Sequence, residues 1–489
     1  MYKRIMTLLA MMLVAVPLLV ACGGDTATPT PPAPAATATT EVVTEPTDAA
    51  PAEPTDTAEA MAKPTDTAGT STGTKGKLQI IWFAWPPCTD LGTLSKTFPE
   101  ADVEVRCVPI DQWRGQIFTD FVAKAGADIV ILDSQFIGEA VVGGHVMDLT
   151  DWMKTNIETA DYVPAALTAY GEYPSGSGKF YGIAAEGDTQ MLVYRKDLFA
   201  KDDVKADFKA KAGKDLALPK TWTELLEIAK FFKESGGKYG VQNGYTTHWC
   251  GTPACYDQMA THWNQILWSF GGELWDPTTY KVEGVLNTDA AVQALTLDRE
   301  LFKTGPEGQA NFDFSAANSA LCDGTTAMET VWFGFGAGFV DKAGCKNSDN
   351  LGFAVVPGEK EHFLSLGGMG LSVSTYTKNK DLALSYVKWF ESKETQLEWA
   401  KLGGFSARKS VLASDEFKNA RPYNPAFAES YLLVKDFWNI PEYSQMLVPQ
   451  MELLNKAVSG QAEPKAALDE IAQKQQSILD EAYPNGPPK

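Results

Sequence analysis

Histidine is scarce in this chain, with four among 489 residues. None sits beside a Gly-x-Ser-x-Gly turn or any comparable setting, so nucleophilic hydrolysis lacks its usual base. Basic residues are outnumbered as well: 42 Lys and Arg stand against 62 Asp and Glu, a formal net charge of −20. Charge of that sign argues against nucleic acid and anionic lipid as partners. Phosphate-loop chemistry is missing too. Gly176-Ser177-Gly178-Lys179 has no spaced first glycine, and Phe180 stands where Ser or Thr is required. Glu186 and Asp188 form a carboxylate pair, but two residues apart on one chain they do not flank a glycosidic bond from opposite sides. No catalytic machinery emerges, no cofactor is called for, and the chain reads as a non-enzyme.

What is present begins at the N-terminus. Lys3 and Arg4 precede an apolar run over 6–20, followed by Leu19-Val20-Ala21-Cys22-Gly23. Charge, length and small residues before a cut site are those of a signal peptide, 1–21. The run is shorter than the roughly 20 apolar residues that span a bilayer. Leu-Val-Ala-Cys resembles a bacterial lipobox, which implies that Cys22 carries lipid and that membrane contact is by this anchor only. From Cys22 to Gly76 the chain is Thr, Pro, Ala, Glu and Asp, with Pro-Thr-Asp at Pro46, Pro54 and Pro64. Such a segment buries too little apolar surface to offset its ordering entropy and is expected to be a disordered stalk. The expected location is extracytoplasmic and lipid-anchored, at an outer face or in a periplasm.

Seven cysteines minus Cys22 leave Cys88, Cys107, Cys250, Cys255, Cys322 and Cys345. An even number in an exported domain suggests three disulfides. Proximity favours the pairs 88–107, 250–255 and 322–345. His248 and His262 flank the middle pair, yet the spacing fits no common zinc pattern, so no metal is expected.

The remaining 400 or so residues exceed what one core usually supports, and two lobes are expected. Residues 78–83, 103–108 and 128–132 read as strands, the last apolar throughout as a strand covered on both faces should be. A helix-spaced segment, 113–122, lies between them, giving an α/β lobe. Thr221 and Glu224 form a capping box before a helix. A short strand is predicted at 239–242, helices at 289–302 and 381–402, and a helical C-terminus over 452–482 broken at Gly460.

The 13 tryptophans are the other resource. Trp85, Trp249, Trp275 and Trp332 sit near Gly, Pro or Cys rather than in periodic helices. A Trp ring offers a wide apolar plate for the C–H face of a sugar, and carboxylates bind its hydroxyls. Trp222 and Trp389, at helical positions, are assigned to the core.

The blocks 180–199, 218–225 and 365–370, with Gly403-Gly404-Phe405-Ser406-Ala407-Arg408-Lys409-Ser410, resemble in order and spacing the family-1 extracellular solute-binding proteins, ligand receptors of ABC importers. The resemblance implies an α/β, two-lobe periplasmic-binding-protein fold of type II-like plan, with hinge-linked lobes and a ligand cleft between them. The N-terminal lobe would be 77–188 with 326–375, and the C-terminal lobe 189–325 with 376–489. Carried over by position, the ligand contacts would be Trp85, Asp133, Gln135, Glu186, Asp188, Trp332 and Gly368. Tyr245, Trp249, Trp275 and Arg408 would form the wall. The implied partners are a small solute, a sugar or oligosaccharide by preference, and the importer's membrane subunits, the receptor itself being a monomer. Alternatives are a glycerophosphate or peptide, presentation of ligand to a sensor kinase, and secreted carbohydrate hydrolysis.

Overall fold

In the computed structural model the described residues are 76–487 apart from 438. The signal segment 1–21, the lipidation site Cys22 and the stalk 22–76 up to its last residue lie outside them. Among the described residues no helix is long and apolar enough to cross a membrane.

Nine strands are described: β1 Gly76–Phe83, β2 Ala101–Val108, β3 Ile129–Leu132, β4 Ile183–Arg195, β5 Asn243–Thr246, β6 Thr326–Trp332, β7 Leu351–Val355, β8 Leu364–Val373 and β9 Val434–Lys435. They form one sheet in the order β2-β1-β3-β8-β4-β6-β5, with β7 also on β4 and β9 on β8. The apolar strand β3 is buried along its whole length, between parallel β1 and antiparallel β8.

β4 positions everything that follows. Its first half pairs with β8, from Ile183↔Leu371 to Thr189↔Leu366, and its second half with β6 and β7, starting at Gln190↔Trp332 and Met191↔Val355. The change of partner falls between Thr189 and Gln190. A run of 13 residues that is almost wholly buried on both faces can make this passage because it has elements on either side throughout.

Two apolar cores result. The first gathers β1, β3, the buried apolar residues of β4 apart from Leu192, and residues of helices Lys380–Phe390, Lys393–Leu402 and Asn424–Ser430. The second gathers helices Trp222–Glu234, Gln258–Ser269, Asp289–Phe302, Tyr443–Val458 and Pro464–Ala482. The division expected at 375 is thus displaced. Ala383, Tyr386, Phe390, Trp399 and Phe427 pack with the N-terminal strands, and the chain passes to the second core only between Val434 and Ile440. An amphipathic helix declares that it has a buried face but not which core receives it.

Locally the sequence reading holds with three shifts. Thr221 caps its helix, its hydroxyl accepting from Glu224 N at 3.1 Å. The strand expected at 239–242 begins at Asn243 instead, because Gly236, Gly237 and Gly240 take left-handed φ and prolong the turn after the helix. The single helix expected over 381–402 is two, since the Ser392 hydroxyl accepts from Thr395 N at 3.3 Å and starts a new one. The C-terminal helical region is interrupted around Gly460, at φ +82°. Trp222 is wholly buried, whereas Trp389 is half-buried against Phe98 and Tyr386. The disulfides are Cys88–Cys107, Cys250–Cys255 and Cys322–Cys345.

Candidate functional site

A cavity of about 250 Å³ opens where β4 changes partner. Trp85 lies two residues beyond the end of β1, and its ring stacks on Phe83 at 4.8 Å. Asp133 follows β3 and caps helix Ser134–Val142, accepting from Gln135 N at 3.3 Å. Asp188 lies on β4 opposite Gly367, and Trp332 ends β6 opposite Gln190. The Trp332 ring lies against Gly367, where an added Cβ would come within 2.4 Å of it. Trp85 lies in the same way on Gly334, with 2.6 Å available. Gly367 on β8 and Gly334 in the turn after β6 are what let the two indoles approach the backbone so closely.

Asp188 is 2% exposed and accepts from Thr189 N at 2.8 Å and from Gly334 N at 3.3 Å. Burial pushes its carboxyl up to about 8, against the pull of those N–H groups. Gly368 borders the cavity at φ +90°, and a side chain there would strike Glu186 O at 2.1 Å. Its contribution is to backbone shape.

The sequence-predicted residues separate into two groups. Trp85, Asp133, Asp188, Trp332 and Gly368 border the cavity. Gln135 stands just behind it, its Nε2 donating to Tyr256 Oη at 2.8 Å. Five others lie elsewhere. Glu186 is fully buried, its Oε2 accepting from Trp399 Nε1 and Phe405 N, both at 2.9 Å, which ties the loop after residue 402 to β4. Tyr245 and Trp249 are packed in the second core, held by Thr330 at 2.5 Å and Gln309 at 3.0 Å. Trp275 packs on Tyr280 at 4.8 Å in a separate groove. Arg408 is 6% exposed, with Nε on Asp161 at 3.0 Å, Nη1 on Glu391 O at 3.0 Å and its guanidinium over the Tyr162 ring. Its charge is spent inside the first lobe. His262 bonds to Asp298 at 3.1 Å, and Cys250 and Cys255 are bonded to each other.

Sequence reasoning missed Tyr256, Asp257, Phe314, Phe335 and Phe437, which complete the wall. Tyr256 is the most informative. It follows the Cys250–Cys255 loop at φ +59° and ψ −122°, a conformation that costs a non-glycine residue on the order of 1–3 kcal/mol. There its hydroxyl donates to Asp133 Oδ2 at 2.8 Å. A loop attached to a second-core helix is thereby joined to the cap of a first-core helix. Tyr256→Phe is expected to lower stability by about 1–2 kcal/mol, because Asp133 and Gln135 each lose a partner. Chemical denaturation measures this, and an unchanged midpoint would show the bond to be idle.

The architecture is that of the two-lobe periplasmic binding proteins. The model of the family described as bacterial extracellular solute-binding protein matches residues 90–397, more than half of the chain, and the chain belongs to that family. Among curated relatives, a probable amino-acid ABC transporter periplasmic-binding protein of Sinorhizobium fredii is 26% identical over 325 residues, 65% of this chain and 68% of that protein. The galactooligosaccharide-binding protein of Bacillus subtilis is 22% identical over 423 residues, covering 84% and 91%. Among solved structures, an ABC transporter solute-binding protein of Agrobacterium radiobacter in complex with ribitol superposes with a TM-score of 0.67 at 26% identity, covering 82% of this chain and 98% of that one. The maltose-bound MalE3 of T. maritima gives 0.68 at 22%, covering 82% and 100%.

Proposed function

We propose that this protein is the substrate-binding subunit of an ABC importer, anchored outside the cytoplasm through lipid on Cys22, and that it binds a sugar or polyol in the cavity between Trp85 and Trp332. The observation that carries the reading is the pairing of two indole faces with buried carboxylates at the point where β4 passes between the cores. Sugar rings present C–H faces to such plates and hydroxyls to such carboxylates. Ribitol, maltose and galactooligosaccharide in the names of similar proteins support the same class. The ligand touches both lobes, so it favours the closed arrangement by population shift, and the membrane subunits read that arrangement. The receptor acts by binding and release and performs no chemistry on its solute.

The test is thermal stabilisation of the purified protein by a panel of mono- and oligosaccharides, polyols and glycerophosphates. Amino acids join the panel because of the Sinorhizobium relative. The expected result is stabilisation by a member of the sugar or polyol set that is lost in Asp188→Ala. Stabilisation by amino acids alone, or turnover of a sugar, would refute the carbohydrate reading.

A further inference from the structure

Three carboxylates border the cavity, Asp133, Asp188 and Asp257, and no lysine, arginine or histidine does. Cations on adjoining elements are already engaged. Lys435 bonds Glu273 at 2.6 Å and lies over the Trp268 ring, and Arg114 pairs with Glu139 while lying over Phe118. The carboxylates are also unequally satisfied. Asp188 has backbone donors, and Asp133 has Tyr256 and Gln135. Asp257, only 6% exposed, has Gln135 Nε2 at 3.4 Å as its side-chain partner, and the Trp85 Nε1 beside the cavity is buried with none among the described residues. Beyond its own backbone N–H, Asp257 thus has the weakest side-chain partner of the three.

Neutral hydroxyls would supply donors but no charge against which the carboxyls could release the protons that burial favours. An ammonium supplies both, and the faces of Trp85, Trp332, Tyr256 and Phe335 around it attract a cation through their ring quadrupoles. We propose that the natural ligand is a hydroxylated solute carrying a protonated amine, an amino sugar or amino-polyol, with Asp257 as the principal counter-ion. This rests on the reading of the cavity as a sugar or polyol site and narrows it.

The electrostatics agree. Burial raises all three carboxyls, and the Asp133 charge raises Asp257 further. The groups facing Asp257 and Asp133 are Gln135, Ser134, Tyr256, Tyr443 and, across Ser134, Asp436. Those facing Asp188 are Tyr170, Tyr431 and Glu186. None of these is a cation. A bound cation therefore lowers the carboxyl values, so binding releases protons and tightens as pH rises towards 8 for as long as the amine stays protonated.

The experiment compares matched ligands on the full chain at about pH 6.5, where amines beside hydroxyl-bearing carbons keep their charge: glucosamine with glucose and N-acetylglucosamine, galactosamine with galactose, and glucamine with sorbitol. The expected result is stabilisation by an amine of about 3 °C at a hundredfold excess over Kd, with its neutral partners well below that. Calorimetry in two buffers of unlike ionisation enthalpy should report proton release. Asp257→Asn should weaken the amine about tenfold or more. Its melting temperature at acidic pH, where the wild-type group is protonated, checks that it folds, and the amine-to-acetamide comparison needs no variant. A neutral member that binds as tightly as its amine overturns the proposal and leaves the sugar or polyol reading standing. Silence from every member overturns both.

Discussion

The unliganded protein is expected to melt about 3–5 °C lower at pH 8 than at pH 6.5, a fall that surface carboxylates do not produce. Burial pushes Asp188 and Glu391 up to about 8 and Asp436 up to about 7. An unfolded chain has released these protons by about pH 5, whereas the folded chain still holds them. A carboxyl raised in this way stabilises the fold fully below its unfolded value, and the contribution is lost as pH rises through the folded value. Between pH 6.5 and 8 each such proton is worth about 1.4 kcal/mol per pH unit, so the three groups together approach about 4 kcal/mol before relaxation of their surroundings reduces it. Glu186, Glu329, Asp133 and Asp257 are raised as well and act in the same direction. Below pH 6.5 the buried His248, its value driven well down by desolvation, works the other way, since it destabilises the fold as solution protons become available. Stability should therefore peak in mildly acidic solution. At about 1 °C per kcal/mol for a body of some 400 residues, the loss to pH 8 is readily seen by calorimetry. Asp188→Asn should remove about a third of the slope and leave the acidic melting temperature nearly unchanged. A melting temperature that is flat or rising to pH 8 would show that these carboxyls are ionised in the fold.

That burial without counter-charge explains how the site was and was not legible. The sequence reading reached Asp188, Trp332 and Gly368 because they lie on β4, β6 and β8, where order and spacing are tied to strand pairing. It misassigned Glu186 because two residues on one strand share a face, yet the bulge between Ala184 and Glu186 and the arrival of Trp399 place that carboxylate in the core. Trp249 and Tyr245 looked like rim residues beside a cysteine loop. The loop instead turns them into the second core and presents Tyr256 outward to Asp133. Nothing local in Cys255-Tyr256-Asp257 announces this, because the partner lies 123 residues away. Arg408 failed for the opposite reason. It is an isolated cation in a conspicuous loop, but Asp161 and the Tyr162 ring reach it first.

Trp332→Ala is expected to weaken solute binding about a hundredfold, roughly 3 kcal/mol, and to abolish ligand-induced stabilisation. Two losses combine. The indole is 8% exposed and forms one face of the cavity, so truncation removes most of the apolar area that a ligand buries against β6. It also removes a contact with β6, which joins the cores: its Ala327 and Met328 belong to the second, and its Val331 belongs with Phe333 to the first. Phe437, packed on the second core, stays in the wall, so the differential affinity for the closed arrangement shrinks with the lost contact. The fold bears a cost of its own, a few kcal/mol for a vacated indole over Gly367. Gly367→Ala separates the two effects. Its Cβ would meet the Trp332 ring at 2.4 Å, so the ring must lift while β6 keeps its other side chains. Binding should then fall about tenfold, with a smaller loss of stability than in the truncation. Titration calorimetry with the solute identified in the panel decides the matter. If Trp332→Ala binds within about threefold of wild type, the plate is packing and the solute lies elsewhere.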